Sequence, residues 1–390
     1  MPLGCAQDYQ ATLHYQGGRQ LFTQLDGLTA LSWGRKLDDY SEASVTVAKR
    51  DASAGCLHQA GRAQPWAHEL TIYRDGGIVW QGPIVEIEET RSELTFTARD
   101  MLAWLDRRVI DTKFPKGQAP LDTGEMLHQI MIKTFPEGDP YNNPGISEYM
   151  RVDRQTPGAQ SFPETIWPGS QTVGELVREL IKSGIDMFTL GRKIYLIPDF
   201  WRFTRNPFRL SARDFLGDLS VLTRGLDTAT EGFVLADSDL DPNGAQPAPP
   251  DPDDAKPPTV AKYPPGHHGG AGDPSAPPWY GRITRFTEAG QQVDSEGALL
   301  DVAKSIRAYG FPPPKSIVVP DSAQLSPEAP VRIGQLVAGR TFRVDLDDFA
   351  MPTSEPFRLS EVEVTWSSDT TEQVAISLET IRQPPVEDQS

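Results

Sequence analysis

The sequence predicts an α+β protein that is predominantly antiparallel β, with two β-barrel or β-roll domains, a small α/β insertion and a long Pro-rich loop. Three observations carry this reading. Apolar residues alternate with polar ones in short runs over residues 9–98 and again from residue 316 onward. Within residues 111–200 the apolar spacing changes twice to the 3.6-residue period of a helix. Residues 238–278 hold twelve prolines, five glycines and six aspartates, with only Leu240, Val260 and Tyr263 as large apolar residues. Such a stretch cannot bury enough surface to offset the entropy of ordering, so it reads as a disordered or extended loop.

The first barrel domain is expected over residues 1–110. Its clearest unit is a hairpin: Leu70 and Ile72 alternate up to Arg74-Asp75-Gly76-Gly77, whose Asp-Gly supplies the positive φ of a tight turn. The return strand runs through Ile84, Val85 and Ile87, turns near Thr90-Arg91-Ser92, and comes back through Leu94 and Phe96. At Asp100, a candidate N-cap, Leu102, Leu105 and Val109 fall on one helical face, so a helix closes this domain. The insertion follows at 111–200. Met126, Leu127, Ile130 and Met131 predict a helix over 123–134, stopped by Pro136. Thr172 and Glu175 form a capping box ahead of Leu176, Val177, Leu180 and Ile181, with Gly184 as the stop. Residues 187–190 and 193–197 read as strands joined at Gly191-Arg192. Over 201–310, strands and a helix carrying Leu299, Val302, Ala303 and Ile306 complete the first part, interrupted by the 238–278 loop. The second barrel domain, 311–390, should pair 331–337 with 341–346 and 357–366 with 374–378, where Val362, Val364 and Trp366 alternate.

Composition narrows the function. The chain of 390 residues has 54 acidic against 37 basic residues, a formal net charge of −17, which works against wrapping a phosphate backbone or an anionic membrane surface. No apolar run exceeds the five residues 101–105, so no membrane insertion is expected. Residues 1–5 offer neither a basic nor an apolar leader region, so no secretory signal is expected. Cys5 and Cys56 are too few and too far apart for a disulfide framework or a zinc site.

Chemical signatures are sparse. The sequence holds no nucleophile elbow, H-E-x-x-H, phosphate loop or dinucleotide fingerprint, so neither an enzyme nor a cofactor is expected. His68-Glu69 lacks a second histidine to complete a metal motif. His267 and His268 are paired imidazoles, and Asp251, Asp253 and Asp254 alternate as calcium ligands can, yet all five lie in the Pro-rich loop. That loop, 238–278, is the candidate partner-contacting segment. Glu86, Glu88 and Glu89 offer carboxylates for glycoside hydrolysis, but in a strand Glu86 and Glu88 simply face solvent opposite Val85 and Ile87. The eight tryptophans are scattered, as core and interface residues are.

Three segments carry a resemblance. They are 70–84 with 96–105, a hairpin, an alternating strand and a closing helix; 305–310, a helix end; and Arg332-Ile333-Gly334-Gln335-Leu336-Val337 with the terminal hairpin 362–378. Together these resemble the hub or baseplate-hub proteins of phage tails, including the minor tail proteins of long-tailed phages. The resemblance implies two tube-type barrels per chain and a homotrimer forming a six-fold-like ring at the tail tip of the virion. It also implies contacts with a distal tail or tail-tube protein, the tape-measure protein and a fibre, spike or other tip protein, with DNA only in transit through a lumen. No catalytic, metal or cofactor residue follows from it. A receptor- or carbohydrate-binding adsorption module and a cell-wall hydrolase are the competing functions, and an injection-machine or prophage particle component shares the architecture.

Overall fold

Alternation at the two ends of the chain resolves into one twelve-stranded sheet. The computed structural model describes residues 2–18, 20–117, 121–134, 150–152, 159–160, 165–181, 185–198, 207–223, 231–236, 259–263, 284–288, 315–320, 322–350 and 352–381. In chain order the strands are β1 (Tyr9–Tyr15), β2 (Leu21–Leu25), β3 (Leu28–Lys36), β4 (Glu42–Ala48), β5 (His68–Arg74), β6 (Gly77–Glu89), β7 (Glu93–Arg99), β8 (Leu121–Asp122), β9 (Met150–Val152), β10 (Ala159–Gln160), β11 (Ile185–Leu190), β12 (Lys193–Pro198), β13 (Phe208–Ser211), β14 (Ser220–Thr223), β15 (Glu231–Ala236), β16 (Thr259–Tyr263), β17 (Thr284–Glu288), β18 (Lys315–Val318), β19 (Ala323–Gln324), β20 (Thr341–Leu346), β21 (Thr353–Ser367) and β22 (Thr370–Thr380). Helices are α1 (Ala54–Ala60), α2 (Thr123–Thr134) and α3 (Val173–Ile181).

The large sheet runs β13-β20-β21-β3-β4-β7-β6-β5-β1-β2, with β22 on the other side of β21 and β19 beside β22. It is antiparallel throughout except for the β13–β20 pair. Two long strands organise it. The first half of β6 pairs with β5 and its second half with β7, the register shifting between Ile84 and Glu86. In the same way β21 pairs with β20 over its first half, and over its second half lies between β22 and β3, with a shift between Leu359 and Glu361. The β5–β6 turn is the expected one, Asp75 and Gly76 both having positive φ, 49° and 77°. Gly82 is required where β6 changes partners, because a Cβ there would stand 1.9 Å from the Arg99 carbonyl oxygen.

The chain divides into two units, Met1–Leu219 with Val319–Thr380 and Ser220–Val318 with Ile381–Ser390. In the first, β3 pairs with β21 over seven residues, Lys36–Ala30 against Glu361–Ser367. The expected boundary between a first barrel domain at 1–110 and a second at 311–390 is therefore not a boundary in the sheet: both β-rich blocks belong to it. The inner face carries Trp33, Val45, Phe96, Val362 and Val364, all nearly or fully buried. Each such side chain contributes about 1.5–3 kcal/mol.

The α/β insertion is built as its periodicity requires. Thr172 and Glu175 exchange the capping-box bonds, Glu175 N to Thr172 Oγ1 at 3.2 Å and Thr172 N to Glu175 Oε2 at 2.8 Å. Leu176, Val177 and Ile181 of α3 pack with Met126, Leu127, Ile130 and Met131 of α2, and β11 and β12 form the expected hairpin. Its core also takes in Met101, Leu102 and Leu105, so the turn that closes the first block serves the insertion.

Four expectations are corrected. The closing helix is a 3-10 helix, Met101–Arg107, capped by Asp100 as read, and Val109 lies beyond it, 53% exposed and bridged to Thr172. Residues 331–337 are not a strand: Gln335 Oε1 accepts from Arg332 N at 2.8 Å, closing a 3-10 turn over Ile333–Gln335, and β20 pairs with β21 instead. The stretch at 54–60, read as part of a strand run, is helix α1, with Ser53 as its N-cap. Within 238–278, Thr259–Tyr263 forms β16, antiparallel to β15. Val260 and Tyr263, two of that stretch's three large apolar residues, lie in it, and β17 flanks β15 in parallel. In the same second unit β14 pairs with β18. The expected helix over 299–306 lies outside the described residues.

Candidate functional surface

An alternating strand that buries one face must present the other to water. In the central sheet the registers bring those outward residues into rows. Glu363, Gly34 and Glu361, Lys36 are opposite partners on β21 and β3; Ser32 leads to Ser44 on β4, Ser44 to Thr97 on β7, and Thr97 to Glu86 on β6. Thr46, Thr95 and Glu88 form a parallel row, with Thr46 Oγ1 and Thr95 Oγ1 3.2 Å apart. The result is a surface of small hydroxyl side chains and glycine, bordered on β21 by Glu361 and Glu363 and on β6 by Glu86 and Glu88. Four strand spacings separate the borders, ~19 Å.

The four border glutamates are exposed and have no hydrogen-bonded or ion-paired partner among the described residues. Glu42, by contrast, accepts from Arg99 Nε at 2.8 Å. With Glu42 and Glu93 the face holds six glutamates against Lys36 and Arg99, a formal charge of −4. Chemically it is an anionic floor of small polar side chains.

Polar locks beneath fix this floor. Arg74 of β5 meets Glu372 of β22 through Nε–Oε1 at 2.8 Å and Nη2–Oε2 at 2.7 Å, with Glu372 almost wholly buried. The Tyr9 hydroxyl donates to the same carboxylate, and Ala6 N adds a bond of 2.9 Å. Burial and that carboxylate push the Tyr9 phenol well above its ordinary range. Arg35 of β3 donates to the carbonyls of Leu336 at 2.7 Å, Ile333 at 3.0 Å and Val79 at 3.1 Å. Burial pulls its pKa down to about 10.

The β11–β12 hairpin is clipped across both blocks. Its Asp186 accepts from Arg358 Nη1 of β21 at 2.8 Å, while its Arg192 donates to Glu69 Oε1 of β5 at 3.0 Å. Between them Thr189 Oγ1 donates to Asp100 at 2.9 Å. Asp100 is wholly buried, and this raises its pKa to about 6 against the bonds from Ser41, Leu102 and Thr189. Burial likewise raises Glu69, against the opposing pull of Arg192.

The residues singled out in the sequence fall in different places. Glu86 and Glu88 face solvent as read. His68 and Glu69 are buried, and Glu69 accepts from Arg192 in the contact described above. Trp33 and Trp80 are core residues and Trp167 is 57% exposed. Asp251, Asp253, Asp254, His267 and His268 lie outside the described residues, as do Trp201 and Trp279. The sequence reading missed Glu361 and Glu363, whose alternation with Val362 and Val364 was the available signal. Among the described residues no group of three or more His, Cys, Asp or Glu side chains is placed to hold a metal, and no helix is long and apolar enough to cross a membrane.

No family model matches the sequence, and no curated protein matches it. Solved structures do. The 43 kDa tail protein of prophage MuSo2 from Shewanella oneidensis matches with a TM-score of 0.54 at 12% identity, over 95% of this chain and 98% of that one. A tail protein from Neisseria meningitidis MC58 matches with a TM-score of 0.54 at 13% identity, over 95% and 96%. A chain of the Francisella PdpA–VgrG complex matches with a TM-score of 0.50 at 9% identity, over 96% of this chain and 53% of that one. The chain thus has the fold of phage tail proteins along nearly its whole length.

Proposed function

We propose that the chain is a structural hub at the tip of a phage tail. Three copies form a ring that continues the tail tube, and the outward face of the central sheet lines the passage. The observation that carries this is the hydroxyl floor bordered by Glu86, Glu88, Glu361 and Glu363. An anionic surface with no large apolar side chain repels phosphates and gives DNA nothing to stack on, which suits transit rather than binding. The fold shared with two tail proteins of matching length supports the same reading. The branched sheet ends in the short strands β13, β2 and β19, edges that neighbouring copies would cover in a ring.

In this reading the protein performs no reaction. Its partners are the distal tail or tail-tube protein and the tape-measure protein on one side, and a fibre, spike or other tip protein on the other, in the virion. The experiment is native mass spectrometry of the chain, alone and mixed with the protein of the adjoining tube end, followed by imaging of the assembly. A trimer with the glutamate-bordered face inward is the expected result. A monomer in both samples, or a ring with that face outward, overturns the proposal.

A further inference from the structure

We infer that a basic, aromatic ribbon formed by residues 107–117 and 165–172 is the surface by which one copy of this chain holds the next. The inference rests on the ring reading above and names a contact that reading leaves open. The two segments run antiparallel: Phe114 and Ile166 exchange backbone bonds of 3.1 and 2.9 Å, and Ile110 N donates to Gln171 O at 3.1 Å. Ile110, Phe114 and Ile166 turn into the insertion core, so the ribbon is held rigid before any partner arrives. Its outer side presents Trp167, 57% exposed, and Val109, 53% exposed. Lys113 Nζ lies 4.1 Å from the centroid of the Trp167 ring.

Charge identifies the occupant. The ribbon carries Arg107, Arg108, Lys113 and Lys116 against Asp111, a formal +3 in a chain of −17, which leaves −20 on the rest. Copies of so acidic a chain repel one another in most orientations. The repulsion reverses where the ribbon of one copy meets an acidic surface of the next. Beside the ribbon, Asp106 pairs with Arg178 at 2.7 Å and Glu175 accepts from Thr172 N at 2.8 Å. A basic patch on one copy against an acidic surface on another is a heterologous contact, the kind that closes rings, and a rigid tryptophan with flanking cations is the composition of an interface anchor.

The test is sedimentation velocity of the full chain at low and high ionic strength, with Lys113→Glu/Lys116→Glu and Trp167→Ala as variants and thermal melting as the check on folding. The wild type should self-associate, more weakly at high salt. The double charge reversal should raise the dissociation constant about tenfold or more, and Trp167→Ala about fivefold at either salt. If the wild type associates and both variants associate equally, the ribbon is not the contact, while the ring reading stands. A wild type that stays monomeric both alone and mixed with the protein of the adjoining tube end overturns the ring reading and this contact with it. Wild-type binding of a short DNA duplex that the charge reversal abolishes, with self-association unchanged, makes the ribbon a phosphate surface and also overturns the inference.

Discussion

Two meanders of one plan, β5–β6–β7 and β20–β21–β22, are held in place differently. Each has a long central strand whose register shifts midway and whose two halves take different partners. The first meander is local, complete within residues 68–99 and closed by a two-residue turn. The second obtains a further neighbour, β3, by pairing Glu361 with Lys36 across 325 residues of chain. Their anchors to the insertion are reversed as well: the first offers an acid, Glu69, to Arg192, and the second a base, Arg358, to Asp186. One repeated backbone plan therefore does not fix its own surroundings; separate ionic contacts dock each copy of it.

The sharpest way to break the comparison is at the lock between the meanders. Arg74→Met leaves the Glu372 carboxylate buried with only the Tyr9 hydroxyl and Ala6 N, and should cost about 3–5 kcal/mol in chemical denaturation. Adding Glu372→Met should restore part of that loss. Next come the two docking pairs. Arg358→Ala should cost about 2–4 kcal/mol and Arg192→Ala less, because Glu69 keeps the bond from Gly17 N at 2.8 Å and is already displaced toward its neutral form. Limited proteolysis of the insertion would rank the two, and a larger effect at Arg192 would contradict the ordering.

Asp100 separates the docking from the sheet by its pH response. Its pKa is raised on folding, from 3.8 to about 6, so the folded state holds the proton more tightly between those values. Its contribution to stability is full below pH about 4 and falls by ~3 kcal/mol as the pH rises through about 6. Measured against Asp100→Asn, which cannot ionise, the wild type should lose ground over that interval; a constant difference between the two would refute the assignment. The smallest effect on stability is expected from Glu86→Gln/Glu88→Gln and Glu361→Gln/Glu363→Gln, within about 0.5 kcal/mol, since all four side chains are exposed. In assembled particles both double variants should alter DNA ejection alike if the two columns border one passage, and dissimilar kinetics would separate them.

The local meander was legible in the sequence and the long-range pairing was not, for a physical reason. Asp75-Gly76, the Thr172 and Glu175 cap, helix 123–134 and the hairpin through Val362 and Val364 are encoded by residues near one another. The β3–β21 pairing depends on register between distant strands, which alternation leaves open. Arg332-Ile333-Gly334-Gln335 shows the opposite limit: apolar spacing proposed a strand, and a single glutamine amide closing on Arg332 N made a turn. The candidate surface was half visible. Glu86 and Glu88 read as solvent-facing, but only the registers place them on one face with Glu361 and Glu363.

The joining of β3 to β21 also sets an order of events during synthesis. Strand β4 covers one edge of β3 early, while the other edge stays unpaired until residues 361–367 have left the ribosome. At about 5–20 residues per second, a chain that has made β3 waits tens of seconds for its partner. Over that interval the edge of β3 is open to mispairing, and a chain interrupted before residue 361 keeps it open. The long-range pairing therefore comes late: the sheet cannot close along β3 until residues 361–367 have been made.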